Sequence, residues 1–308
     1  LYPWFQVFQN LIFWMPVFFL LFASRFSVSD VLLLEAIYYA VVVVAEVPSG
    51  YFSDRIGRRL TLLGSSLCWF VAGIIFCITE SFSGFAIGQV LLAAGMALRS
   101  GTDSSLLYES LKDIGAAADV AIHEARAQTW SLLALALAAI VGGAIAMFDL
   151  RLPYLMSALA AAVAVGMAYY FSEPGEKTGS QPGLLESARL IAQTRHNRVL
   201  MWLLAFSVSL TVLAHIPYEM LQPYIGFVFD SGARAVQVNT DDWRQTPLIS
   251  GVTLAVTMGL GAMGSALSIR LCDRFGVGGV LWIAIAIIAG IILSMAVWVH
   301  WAVLAVIS

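Results

Sequence analysis

The residues of this chain best suited to chemistry are charged side chains set inside or beside long apolar runs. The densest group is Gly50-Tyr51-Phe52-Ser53-Asp54-Arg55-Ile56-Gly57-Arg58-Arg59, which reads G-x-x-x-D-R-x-G-R-R. One apolar run ends just before it and another begins at Leu60, so it reads as a short basic turn between two helices. Gly50, with no side chain, lets two helices approach closely. Asp54 stands ahead of the next helix, where a carboxylate accepts hydrogen bonds from free backbone N–H groups. Gly57 permits a left-handed backbone angle. Arg55, Arg58 and Arg59 can pair with carboxylates on neighbouring helix ends and with anionic lipid. The chemistry on offer is charge pairing that can be made and broken at a membrane face.

Other charges lie deeper. An ionisable side chain at bilayer depth costs at least ~2.5–3.5 kcal/mol, so each needs a reason. Arg99 and Asp103 are four apart and can pair on one helix. Either the pair neutralises itself and holds a helix bundle, or binding of a substrate or proton breaks it. While paired, Asp103 favours its charged form and carries a proton only once the arginine is drawn away. His215 and Glu219 repeat the spacing beside Pro217, as an ion pair near one mouth or as a proton-linked gate. Gln6, Gln9 and Asn10 make one face of the first apolar run polar. Gln6 and Asn10 line a cavity or hydrogen-bond between helices. Glu109 is expected to reach Arg55 or Arg59, and Glu46 to close the same latch. Glu35 is expected at the interface, and Trp4, Trp69, Trp202 and Trp298 as belt anchors.

The elements that must position these groups are membrane spans. Of 308 residues 60% are hydrophobic and 11% charged, and the mean hydropathy is +0.88. A soluble domain carries roughly 25% charged residues. Apolar runs of about twenty residues recur throughout, which predicts an all-α polytopic membrane protein. Cys68, Cys77 and Cys272 are an odd, scattered set that suggests neither disulfides nor a metal cluster. No H-E-x-x-H, G-x-S-x-G or ATP-binding P-loop occurs, so the reading is non-enzymatic, without cofactor, metal or nucleic acid. The chain begins at Leu1, so a start is expected to be missing. The first apolar segment has the length of a span rather than of a cleaved signal peptide.

Spans are expected at about 2–24, 31–50, 60–79, 85–110, 127–148 and 153–171, a six-helix bundle over 1–171. Residues 112–126 read as a polar connector, and Gly142-Gly143 suits close helix packing. A linker follows over 172–198, punctuated by Pro174, Gly175, Gly179, Pro182 and Gly183, with an amphipathic surface helix over 184–195. A partial second bundle over 199–308 would hold spans at 199–224, 248–271 and 278–300, with a charged insert at 229–247. With the basic turn in the cytoplasm, eleven of the sixteen Lys and Arg fall on that side, four outside, and Arg99 in the bilayer. This places the N-terminus in the cytoplasm of a cell (inner or plasma) membrane protein. Asp273-Arg274-Phe275-Gly276 repeats the D-R-x-G core six spans after the first copy. Both copies fall on the same side of the membrane, at equivalent turns of the two bundles. Val277 and Gly278 replace the last two arginines, so the second gate is weaker in charge.

The signature turn resembles the loop between the second and third helices of the major facilitator superfamily. Glu46-Val47-Pro48-Ser49-Gly50 is similar to the E-x-P-S/T-G of its prokaryotic efflux-permease-like branch. The run from Ser100 to Leu111 looks like that branch's S-G-A/T-D-x-A-L-L-Y-D-S-L, and Arg151-Leu152-Pro153-Tyr154 like its usual start of the sixth helix. Two positions depart from the pattern. Gln89 stands where many members carry an arginine linked to proton coupling, and the Gly142-Gly143 segment lacks the antiporters' G-P dipeptide.

The resemblance implies a twelve-helix fold. A C-terminally truncated chain is therefore expected, with roughly 100 residues to follow at ~20 apolar residues per span, and no transport by these 308 residues alone. It also implies a monomeric secondary transporter, in contact with membrane lipid, that moves a small molecule outward by alternating access driven by protons. Gly50, Asp54, Arg55, Gly57, Arg58, Arg59, Glu46 and Glu109 would form the cytoplasmic gate, and Asp273, Arg274 and Gly276 its second copy. The competing reading is a transporter-like sensor or scaffold whose insert at 229–247 binds a partner.

Overall fold

The computed structural model describes residues 1–174, 197–202, 205–206, 209 and 246–297. The elements are α1 (Tyr2–Gln9), a 3-10 turn at Met15–Val17, α2 (Phe18–Ala23), α3 (Val28–Ile56), α4 (Arg58–Ile78), α5 (Phe82–Arg99), α6 (Thr102–Asp113), α7 (Val120–Ala146), α8 (Leu152–Tyr169) and α9 (Thr246–Val297). Six stretches are long and apolar enough to cross a membrane: Val28–Glu46, Arg58–Ile78, Phe82–Asp113, Ala117–Ala146, Leu152–Tyr169 and Pro247–Ser268. A pair bent by 104°, Arg270–Gly276 and Gly278–Gly290, is a broken span or a re-entrant loop. The protein is a polytopic, all-helical membrane protein. The linker helix expected over 184–195, most of the span expected over 199–224 and the insert up to residue 245 lie outside the described residues.

Where boundaries differ from hydropathy, local chemistry explains the shift. The helix of the second span starts at Val28, because Ser27 and Asp30 form a capping box: Ser27 Oγ accepts from Asp30 N, and Asp30 Oδ2 accepts from Ser27 N, each at 3.3 Å. The first span is not one helix. α1 stops at Asn10, and the chain resumes through Pro16, which has no N–H to continue a helix. Phe13 N, lacking a backbone partner there, donates to Ser157 Oγ at 2.9 Å. The fourth span breaks at Ser100-Gly101, with Gly101 left-handed at φ +70°. α7 begins at Val120, so the last residues of the expected polar connector are already helical.

The core of the first bundle is aromatic. Phe22, Phe76, Phe85 and Tyr154 are almost wholly buried and join α2, α4, α5 and α8. Phe22 meets Phe85 edge-on at 5.0 Å and Phe76 meets Tyr154 at 5.2 Å, spacings that add to the gain from burial. α7 and α9 pack backbone to backbone. A Cβ at Gly143 would lie 2.4 Å from Pro247 O, and one at Gly251 would lie 2.4 Å from Ala139 O. At Gly142 it would lie 1.9 Å from Phe13 O, at the break in the first span. Backbone cannot swing aside, so Gly142→Ala is expected to cost about 1–3 kcal/mol by overpacking. The readout is the melting temperature of the purified protein. Gly166→Ala, which meets nothing within 4 Å, serves as the unaffected control.

Candidate functional site

At the Gly57 end of the bundle, the basic turn is mostly helix. α3 runs through Gly50 to Ile56, and only Gly57, at φ +119° and ψ +154°, turns the chain. Gly50 is exposed, and a Cβ there would meet nothing within 4 Å, so the close helix approach expected at Gly50 is not found among the described residues. Asp54 does not cap α4 either. It lies on the last turn of α3, where its Oδ1 accepts from Arg58 Nη1 at 2.5 Å. The cap is Glu173, just beyond α8. Its Oε1 accepts from Arg58 N at 2.6 Å and its Oε2 from Arg59 N at 3.0 Å. A carboxylate forked across free N–H groups at a helix N-terminus also meets the positive end of the helix dipole. No local spacing points to Glu173, since its partners lie more than a hundred residues away.

Arg58 is the node. Beside Asp54 it donates to Ser53 Oγ at 2.8 Å, to Glu109 Oε1 through Nη2 at 3.0 Å and to Glu109 Oε2 through Nε at 3.4 Å. It therefore binds the end of α3 to α6, and Thr102 Oγ1 reinforces the join by donating to Ser53 Oγ at 3.0 Å. Glu109 was expected to take Arg55 or Arg59. Those two are engaged elsewhere: Arg55 with the hydroxyl and ring of Tyr51, Arg59 over the ring of Tyr169 at 5.2 Å. Glu46 accepts from Ser100 Oγ at 2.7 Å, so it holds the break in the fourth span rather than an arginine. In the second copy, Gly276 turns α9 at φ +68° and ψ +161°, with positive φ and a similar ψ to Gly57. Asp273 and Arg274 are exposed there, with the Arg274 guanidinium over Phe275 at 5.5 Å.

A second polar group sits where α5 gives way to α6. Arg99 Nε lies 3.5 Å from Asp103 Oδ2, and the pair spans the Gly101 turn rather than one regular helix. Gln6 Nε2 donates to the same Oδ2 and to the Tyr2 hydroxyl, both at 2.9 Å. Asp103 Oδ1 accepts from Ser104 N at 2.8 Å. Asn10 Nδ2 turns back to Gln6 O at 2.7 Å. Trp69 is no belt anchor: its Nε1 donates to Leu92 O at 3.2 Å, and Arg99 lies over its ring at 5.9 Å. A small cavity opens at the break in the first span, lined by Phe8, Gln9, Trp14, Trp69 and Ser157. Glu35 accepts from buried Gln89 Nε2 at 2.9 Å. His215 and Glu219 lie outside the described residues. Among the described residues no group of three or more His, Cys, Asp or Glu could hold a metal ion.

At the opposite end, Glu80 gathers two arginines: Arg25 Nη1 at 3.0 Å and Arg151 Nη2 at 2.6 Å. Their hydrogen bonds, Arg25 first, hold its carboxyl below the usual carboxylate range. Glu80 is well exposed, so water and salt screen the bracket.

A family model described as the Major Facilitator Superfamily matches residues 5–308. The fold resembles the crystal structure of a D-xylose-proton symporter, with a TM-score of 0.56 at 14% identity over 89% of this chain and 68% of that one. It also resembles a POT family transporter crystallised with 5-aminolevulinic acid, with a TM-score of 0.51 at 12% identity over 90% and 70%. At such identities the likeness shows the fold alone. No curated protein matches the chain.

Proposed function

The chain belongs to the Major Facilitator Superfamily, a family of secondary transporters and not of enzymes, and on that premise we propose that it exports a small solute by proton-coupled alternating access. The observation that carries the reading is the Arg58 node. It joins α3 to α6 through three acceptor side chains at one end of the bundle, so it can hold that end shut in one state and release it in the other. The Lys and Arg bias supports a cytoplasmic position for this latch and for the N-terminus. Glu46 and Ser100 would transmit its opening to the break in the fourth span. Arg99, Asp103, Gln6 and Asn10 are the substrate-facing groups of this half, with His215 and Glu219 from 199–308. Asp273, Arg274 and Gly276 are the second, weaker gate. The efflux direction follows the likeness of the Glu46–Gly50 and Ser100–Leu111 runs to export permeases. A substrate can drive the cycle only by binding the two states unequally.

The test begins with a thermal-shift screen of small molecules on the purified full-length protein, and the flux measurements use that same protein. Each stabilising ligand is then followed into inverted vesicles under an imposed proton gradient. Uptake that collapses with a protonophore is the expected result. Asp54→Asn should leave expression and ligand stabilisation intact while lowering flux by about tenfold, the effect of roughly 1.4 kcal/mol on the latch. Ligands that stabilise the protein yet never cross would leave the sensor or scaffold reading in its place.

A further inference from the structure

We infer that the cavity at the break in the first span is a binding pocket for a neutral hydroxyl group, and that Gln9 Oε1 is the acceptor that holds it. Backbone that leaves the helix at membrane depth is tolerated where protein buries it or where it lines a cavity. Here it lines one: Leu11, Ile12 and Trp14, between α1 and the 3-10 turn, form the wall together with Gln9. Interrupted helices of this kind commonly build the ligand sites of transporters. The remaining walls come from α4, α5 and α8, so the pocket belongs wholly to the first bundle. Neither Arg99 nor Asp103 lines it, although Arg99 lies over the ring of Trp69, which does. Nothing in the pocket's chemistry depends on flux or on a coupling ion.

Gln9 decides what a guest must bring. It is 2% exposed, and its Nε2 donates to Ser66 Oγ at 2.7 Å. Ser66 spends its own hydrogen on Leu62 O at 2.9 Å, so toward Gln9 its oxygen can only accept. That fixes the amide, with its nitrogen toward Ser66 and its oxygen away from it. Oε1 is buried and has no hydrogen-bond partner among the described residues. A stranded buried acceptor is costly, and a donor entering the cavity removes that cost. Ser157 and Trp69, also in the wall, spend their hydrogens inside the bundle. Ser157 Oγ donates to Pro153 O at 3.0 Å and Trp69 Nε1 to Leu92 O at 3.2 Å. The hydrogen for Oε1 must come with the guest.

Size and charge narrow the guest further. The cavity has about 10 Å³ of free volume, room for one water-sized group. Among the described residues no charged side chain lines it, whereas the rings of Phe8, Trp14, Trp69 and Phe76 do. An ammonium there would be buried without a counter-charge. An amide exceeds the volume. A hydroxyl fits both limits and supplies the one hydrogen that Oε1 lacks. Its source is either the tip of a solute or a single resident water.

The test uses the full-length protein in lipid nanodiscs. Methanol and acetonitrile are similar in size, but only methanol has an O–H to donate. At a methanol concentration a few times its dissociation constant, the melting temperature should stand about 2 °C above that in equal acetonitrile. The difference should vanish in Gln9→Met, which removes the acceptor. It should vanish also in Ala161→Val, which narrows the cavity from α8 and keeps Gln9, and which decides the matter if the first variant does not fold. That pattern assigns the pocket to a solute hydroxyl. With no methanol advantage, magnetisation transfer from water to the Trp14 ring, present in the wild type and lost in Ala161→Val, assigns it to a resident water. Neither effect, or a methanol advantage undiminished in Gln9→Met, overturns the pocket. Stabilisation by methylammonium equal to that by methanol overturns its preference for a neutral group.

Discussion

Arg58→Leu should lose about 2 kcal/mol of stability and, through the latch, most of its transport, because one guanidinium satisfies acceptors on both α3 and α6. Removing it strands two carboxylates, Asp54 and Glu109. Both are partly open to water, with side chains 47% and 37% exposed, so solvent screens the penalty below that of a fully buried pair. The effect on function is larger than the effect on folding. If the bonds exist only while that end of the bundle is shut, losing ~2 kcal/mol there shifts the two-state balance about thirtyfold toward the open form. Arg58→Lys separates the two consequences. Lysine keeps the charge but not the fork that reaches Ser53, Asp54 and Glu109 together. It should regain at least half of the lost melting temperature while flux of a stabilising ligand stays near the leucine level. Equal flux from wild type and Arg58→Leu would remove the node from the mechanism.

Six of the nine expected spans, five between residues 28 and 169 and one at 247–268, were legible because the signal that marks them, apolar length, is the one the bilayer enforces. The breaks were not. Hydropathy runs on without pause through 11–23, so the interruption at Pro16 shows only through backbone chemistry, and the turn at Gly101 hides among small residues. The basic turn was over-read in the opposite sense. Polar residues after Gly50 look like a loop, yet a charged helix emerging at a membrane face has no reason to unwind before its first Gly with positive φ. Once Gly50–Ile56 is helical, Asp54 is placed to meet Arg58, four residues on, rather than the N–H groups of α4. The arginines as a set could be recognised; which of them holds Glu109 could not, because that depends on how α6 sits after its break. Glu173 and the Glu35–Gln89 pair were missed for a shared reason. Each joins residues at least fifty positions apart, and spacing along one chain carries no information about which helices become neighbours. Gly57 was found because its requirement is local, a backbone angle that a side chain resists, and Gly276 because it repeats the same D-R-x-G pattern.

That shared backbone sets up the second large effect. Gly57 and Gly276 turn the chain at φ +119° and +68°, each with ψ near +160°. Alanine at either should suffer about 1–3 kcal/mol of backbone strain. Their surroundings differ. A Cβ at Gly276 meets nothing within 4 Å, whereas one at Gly57 would stand 2.5 Å from Glu173 Oε1 and 2.7 Å from its carboxyl carbon. Gly57→Ala must therefore also push away the carboxylate that caps α4, adding about 0.5–2 kcal/mol, the usual value of an N-cap. Melting temperatures should fall further for Gly57→Ala than for Gly276→Ala. In a Glu173→Ala background the cap is already gone, so the excess should vanish and the two glycines should become equivalent. The same background should leave the effect of Arg58→Leu almost unchanged, because that node works through side-chain nitrogens while Glu173 holds backbone N–H groups. An excess at Gly57 that survives without Glu173 would mean that backbone strain, and not the displaced cap, separates the two turns.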